Sequence, residues 1–234
     1  MRIRSTFHYS MPAFAFLLPL SGCSIGETRF SYRITTEIYV NGHKFSGSAV
    51  RQVFLREMSG PMATAPYRAR MHGEAVVIDM GRLGKAFTLL YRAEPDEGLT
   101  YGDGCTGDAV TNYIIARMKR NADCSNAAEH IEHFKNSKIA LEFSGATTPT
   151  TVKFTNLDHP ESIDYLNNTF KIRYFISTSE SDVTRRIFSD IPWLHRLFKK
   201  RLDGGVLVPA GSNPLSSIIG GEEFSTEPPS NQQP

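Results

Sequence analysis

The chain has 234 residues, 40% hydrophobic and 21% charged, with 26 Lys and Arg, 24 Asp and Glu, and 3 Cys. This composition suffices for one sizeable core and excludes a coiled coil, a collagen-like chain, a multi-span membrane protein and a disulfide-dense miniprotein. Arg2 and Arg4 account for the excess positive charge; beyond residue 22 the chain carries 24 charges of each sign, without the basic field of a nucleic-acid binder, so no nucleic-acid partner is expected.

The N-terminal segment pairs a basic start, Arg2 and Arg4, with an apolar run from Met11 to Leu20. A run of about ten residues falls short of the roughly 20 needed to cross a bilayer and has the length of a signal-peptide apolar region. Leu20-Ser21-Gly22-Cys23 follows it. This tetrapeptide resembles the lipobox of bacterial lipoproteins. The resemblance implies a signal peptide over residues 1–22, cleavage before Cys23, acylation of its sulfur and new amine, and membrane attachment through that residue. Ser24, in place of Asp, resembles lipoproteins sorted to the outer membrane, facing the periplasm. Two or three acyl chains hold a protein to a bilayer durably, where one does so marginally. With Cys23 acylated, Cys105 and Cys124 remain as an even pair in an oxidising compartment. A bridge between them would close a loop of about twenty residues, worth about 3 kcal/mol; two free thiols are the alternative.

Residues 23–28 read as a lipidated tether. Phe30 to Val40 alternates and is rich in β-branched and aromatic residues, which predicts a strand, and Asn41-Gly42 predicts a tight hairpin turn into a second strand over 44–57. Gly47 and Ser48 suggest a bulge within it. Residues 58–71, with Pro61 and Pro66, read as a loop. A second hairpin is expected from Glu74–Met80 through Gly81–Gly84 to Ala86–Tyr91, followed by turns over 94–107. Helical spacing of Val110, Ile114, Ile115 and Met118 predicts a helix over 108–120, with Thr106 or Asp108 as N-cap, and a second helix is expected over 123–136. Strands are expected at Ile139–Phe143, Thr151–Phe154 and Thr169–Thr178, and a helix over 183–202 interrupted near Pro192. The polar, Pro-rich composition of 208–234 reads as a disordered tail. The expectation is a single α+β domain over 29–207, mainly antiparallel hairpins with two to three helices.

Scattered runs in this body, Tyr32-Arg33-Ile34-Thr35, Ser46 to Val50, Gly73 to Asp79, Asp190 to Leu194 and Leu202 to Gly205, resemble a bacterial protein family without an assigned activity. That resemblance implies a shared fold and transfers no site residue.

Four groups of residues are candidates for chemistry. His130 and His133 stand one helical turn apart, a spacing that can share a metal, but a solvated helix face rich in Glu and His explains them without one. Tyr101 to Asp108 is a glycine-rich turn before a helix, where Asp103 or Asp108 could act as an acid or base and backbone amides could hold an anion. No GxSxG elbow or phosphate loop is present, and Asp158-His159 lies in a turn. Arg185, Arg186, Arg196, Lys199, Lys200 and Arg201 surround Trp193, Leu194, Leu197 and Phe198, as on a membrane-lying helix or as on a core helix with solvated charges. No residue is assigned a catalytic or metal-binding role and no cofactor is expected. The expected function is that of a non-catalytic, lipid-anchored envelope protein with a protein or glycan partner. A periplasmic hydrolase using Asp103, Asp108 or the His130 and His133 pair, the last with a metal, is the alternative.

Overall fold

Asn41 and Gly42 both adopt positive φ, 49° and 81°, and close the two-residue turn that joins the two longest strands, β1 (Glu27–Val40) and β2 (His43–Glu57). The structure, a computed structural model, describes residues 27–58, 66–94, 98–100, 105, 106, 108–118, 124, 126–144, 148–166, 170–205 and 214–228. Cys23, Asp103 and most of the glycine-rich turn lie outside the described residues. Along β1, Phe30, Tyr32, Ile34, Thr36, Ile38 and Val40 face inward and are buried, while the alternate residues face solvent. With β3 (Tyr67–His72), β8 (Ala140–Phe143) and β11 (Lys171–Thr178) they form a five-stranded antiparallel sheet in the order β3-β2-β1-β11-β8. The segment expected to be a loop over 58–71 therefore supplies a strand. Pro66 lies just before β3, where its missing N–H disturbs no ladder bond.

A second antiparallel sheet has the order β10-β9-β5-β4, built from β4 (Val76–Asp79), β5 (Lys85–Thr88), β9 (Thr151–Phe154) and β10 (Ile163–Tyr165). A small pair, β6 (Arg92–Glu94) and β7 (Gly98–Thr100), completes the strands among the described residues. Gly47 makes no bulge: the ladder runs unbroken through Thr36↔Gly47 and Thr35↔Ser48. Its role is close approach, because a Cβ there would lie 2.1 Å from the Val77 carbonyl oxygen, so β2 and β4 cross in near contact.

Two buried polar devices tie the sheets together. Arg51 is fully buried; its Nε donates to the Glu74 carbonyl (3.1 Å) and its Nη2 to the Leu89 carbonyl (3.2 Å). The hydroxyls of Thr36, Thr88, Thr151 and Tyr174 form a chain with steps of 2.9, 2.9 and 3.0 Å. The hydroxyl chain satisfies groups whose burial without partners would be costly, while Arg51 pairs Nε and Nη2 and leaves its buried Nη1 without a partner among the described residues.

The inner face of the five-stranded sheet is covered partly by β4 and partly by α1 (Ala109–Met118) and α2 (Ala127–Ser137), which contribute Val110, Ile114, Ile131 and Phe134 to the first core. Cys105 and Cys124 are disulfide-bonded beside α1 and α2. A second core lies on the far side of β4 and β5, beneath α3 (Ile187–Asp190), α4 (Leu194–Leu197) and α5 (Pro214–Ile218). Pro192 separates α3 from α4, as its effect on helices requires. The architecture is α+β, as expected.

The C-terminal segment departs from the expected tail. Residues 214–228 fold onto the second core, with Leu215, Ile219 and Phe224 buried and the Phe224 ring edge-on to Phe87 at 6.0 Å. The Ala75 amide donates to the Phe224 carbonyl at 2.8 Å. Three well-spaced apolar residues outweigh the polar composition around them, because each removes a large area from water.

Candidate functional site

The outer face of the five-stranded sheet carries an arrangement that no single stretch of sequence displays. Antiparallel register aligns Glu27, Arg56 and Arg68 in one row and Arg29, Phe54 and Arg70 in the next. Ser31, Gln52 and His72 form a third row. Arg29, Arg56, Arg68 and Arg70 are exposed, and they surround the Phe54 ring. The Arg29 guanidinium lies 5.2 Å from the Phe54 centroid, and the His72 ring meets the same phenyl edge-on at 5.1 Å. Glu27, Phe54, Arg56, Arg68, Arg70 and His72 line an open groove of about 720 Å³, with Arg29 beside it.

Charge balance makes this end of the face distinctive. Arg56 and Arg68 are direct cross-strand neighbours, a like-charge pairing that weakens a sheet. Among the described residues, none of the four arginines is ion-paired with a carboxylate. Elsewhere on the face the carboxylates have basic partners, and Lys171 lies over the Tyr39 ring. Glu37 accepts from the Tyr39 hydroxyl (2.6 Å) and Lys44 (2.9 Å), which hold its carboxyl below its ordinary range. Arg173 grips Glu142 through two bonds of 2.8 Å, and Glu142 is likewise lowered. Glu227 takes Arg185 at 3.1 Å and His72 at 3.4 Å. Arg33 donates to the Ser48 and Ser181 hydroxyls. Four arginines without an ion pair thus gather where β1 begins and β2 ends, away from the Asn41–Gly42 turn.

The residues singled out from sequence are not assembled into a second site. His130 is half-buried and His133 exposed on α2, and among the described residues no three His, Cys, Asp or Glu side chains are grouped to hold a metal. Asp108 is the N-cap of α1: its Oδ2 accepts the Thr111 amide at 2.7 Å, and burial pushes its carboxyl up against the opposing pull of that bond and of Arg51. His159 meets Glu161 at 3.0 Å in an exposed turn. Trp193, Leu194 and Phe198 are buried, with the Trp193 indole donating to the Leu157 carbonyl at 2.6 Å, while Arg186, Arg196, Lys199 and Lys200 face solvent. The basic segment over 185–201 is therefore a core element with a solvated charged side.

The arginine face escaped the sequence because its members sit at 29, 56, 68 and 70 and meet only through strand register. One signal was present: Arg68 and Arg70 are two residues apart, the period that puts side chains on one side of a strand. No family model matches the chain, and neither a curated protein nor a solved structure is similar to it.

Proposed function

We propose that this chain is a lipid-anchored protein of the bacterial cell envelope, held at Cys23 in the outer membrane facing the periplasm, whose domain recognises a ligand rather than transforming one. The observation that carries recognition is the group of Arg29, Arg56, Arg68 and Arg70, exposed together with Glu27 as the one carboxylate in their rows and, among the described residues, with no ion pair to any of the four. Glu27 opposite Arg56 offsets only part of the like-charge cost of setting Arg56 opposite Arg68, and the surplus positive charge makes sense as a surface for an external anion. Arginine stays ionised at any accessible pH and neither gives nor takes a proton, so the face is suited to binding and not to acid–base work. The lipobox residues Leu20 to Cys23 support the anchor, and the Cys105–Cys124 bridge suits an oxidising compartment.

The test is the intact mass of the protein extracted from membranes of a bacterial host, with thiols counted after denaturation. The reading requires cleavage before Cys23, added acyl mass and no free thiol. An unmodified full-length mass would overturn it.

A further inference from the structure

We infer that the arginine face lies against anionic phospholipid headgroups of the same bilayer that carries the anchor. This rests on the lipid-anchored reading and adds to it an orientation and a ligand chemistry.

The first argument is position. Cys23 precedes Glu27, the first residue of β1, by four residues, and such a stretch spans at most about 14 Å. Arg29 follows two residues later, and register places Arg56 and Arg70 in and beside its row. The opposite end of β1, at Val40, is 13 residues further on, about 44 Å at the rise of an antiparallel strand. An acylated Cys23 thus keeps the unmatched arginines near the headgroups and lets the matched charges of Glu37, Lys44, Arg173 and Glu142 stand away from them.

The second argument is chemistry. The guanidinium fork bonds phosphate oxygens in bidentate fashion and is weakly hydrated, so four of them on neighbouring strands, against the single carboxylate of Glu27, suit a plane of phosphodiesters. Phe54 among them, with the exposed Met58 just past the end of β2, supplies apolar contact of the kind found at the headgroup level of bilayers. A juxtamembrane basic group feels an anionic leaflet only within about a Debye length, near 8 Å at physiological salt. A short tether is what brings a folded face into that range.

The experiment uses the acylated full protein in vesicles of phosphatidylcholine, with or without phosphatidylglycerol, and reads phenylglyoxal modification of each arginine by peptide mass. Arg82, exposed on the turn between β4 and β5, is the internal reference. In phosphatidylglycerol vesicles at about 0.1 M salt, Arg29, Arg56, Arg68 and Arg70 should react at least about fivefold more slowly than in phosphatidylcholine alone, with Arg82 unchanged. The protection should vanish near 1 M salt, where the Debye length falls to about 3 Å. Equal rates in both vesicles overturn the docking, as does protection of the same arginines by a soluble anionic polysaccharide without phosphatidylglycerol, which would assign the face to glycan. The mass of the same sample reports acylation separately: acyl chains present with no protection leaves the anchor and removes the docking. A chain without acyl groups removes the anchor, and the same protein added to the vesicles from outside then decides the docking by the same rates.

Discussion

Arg51, on the middle of a strand in one sheet, reaches across the molecule to donate its Nη2 hydrogen to the Leu89 carbonyl at the end of a strand in the other. This is the one fully buried guanidinium among the described residues, and it replaces apolar packing with a directional tie between layers. The nearby Asp108 carboxyl provides opposite charge within the same interior, and burial holds the adjacent Tyr32 phenol well above its ordinary range.

Arg51→Ala should therefore cost about 3–5 kcal/mol, combining a cavity with stranded carbonyls at Glu74 and Leu89. Arg51→Met, of similar length and without charge, should recover a good part of that loss. Urea unfolding of the two variants measures the difference; equal losses would mean that the hydrogen bonds, and not the volume, decide the outcome.

Gly47→Ala places a methyl group 2.1 Å from a backbone oxygen of β4, and neither partner is the end of a flexible side chain. The sheets must separate locally, so the expected loss exceeds about 3 kcal/mol. Gly42→Ala is the control: its surroundings are open, and only the φ of 81° opposes the substitution, at about 1 kcal/mol. Unfolding midpoints of the pair separate crowding from backbone conformation.

Glu223 is almost fully buried at the C-terminal end of the second core, and desolvation pushes its carboxyl up to about 7, even though it accepts the Gly220 amide at 2.6 Å. The folded state holds a proton that the unfolded chain releases near 4.3. Its stabilising effect is therefore complete below about 4.3 and is lost as the pH rises through about 7, with a span on the order of 3 kcal/mol. Glu74 is raised in the same direction by burial. Glu223→Gln keeps an acceptor for Gly220 but does not titrate, so its stability should change less between pH 5 and 8 than that of the parent protein. Identical pH profiles in chemical denaturation would refute this.

Phe224 contacts Phe87 and Phe154 through ring centroids 6.0 and 6.1 Å away. Phe224→Ala should cost about 3–5 kcal/mol, and removal of residues 214–234 should abolish the single cooperative thermal transition. A truncated chain that melts as the full one does would return this segment to the status of an appendage.

The elements governed by short-range chemistry were legible from sequence. Asn41-Gly42 required positive φ at adjacent positions, the alternation in Phe30–Val40 marked a half-buried strand, and the spacing of Val110, Ile114 and Ile115 marked α1. The even cysteine pair foretold the bridge. What failed depended on distant partners. Two prolines made 58–71 look irregular although β3 begins directly after Pro66, and the polar setting of Leu215, Ile219 and Phe224 concealed their burial. Gly47 looked like a bulge because the strand crossing it accommodates lies thirty residues away in sequence. The arginine face was hidden for the same reason, since Arg29 and Arg70 share a surface only through the register of three strands.

The disulfide has a consequence for how copies of the protein treat one another. The Tyr67 and Ala69 amides point outward from the edge strand β3, and they donate to the Cys105 and Thr106 carbonyls at 3.1 Å each. Cys105 and Thr106 thus form a strap over a sheet edge that would otherwise offer its backbone to any passing strand. Opening the bridge should loosen the strap. The expected result is that the reduced chain associates edge to edge more readily than the oxidised one, which light scattering with and without reductant would measure.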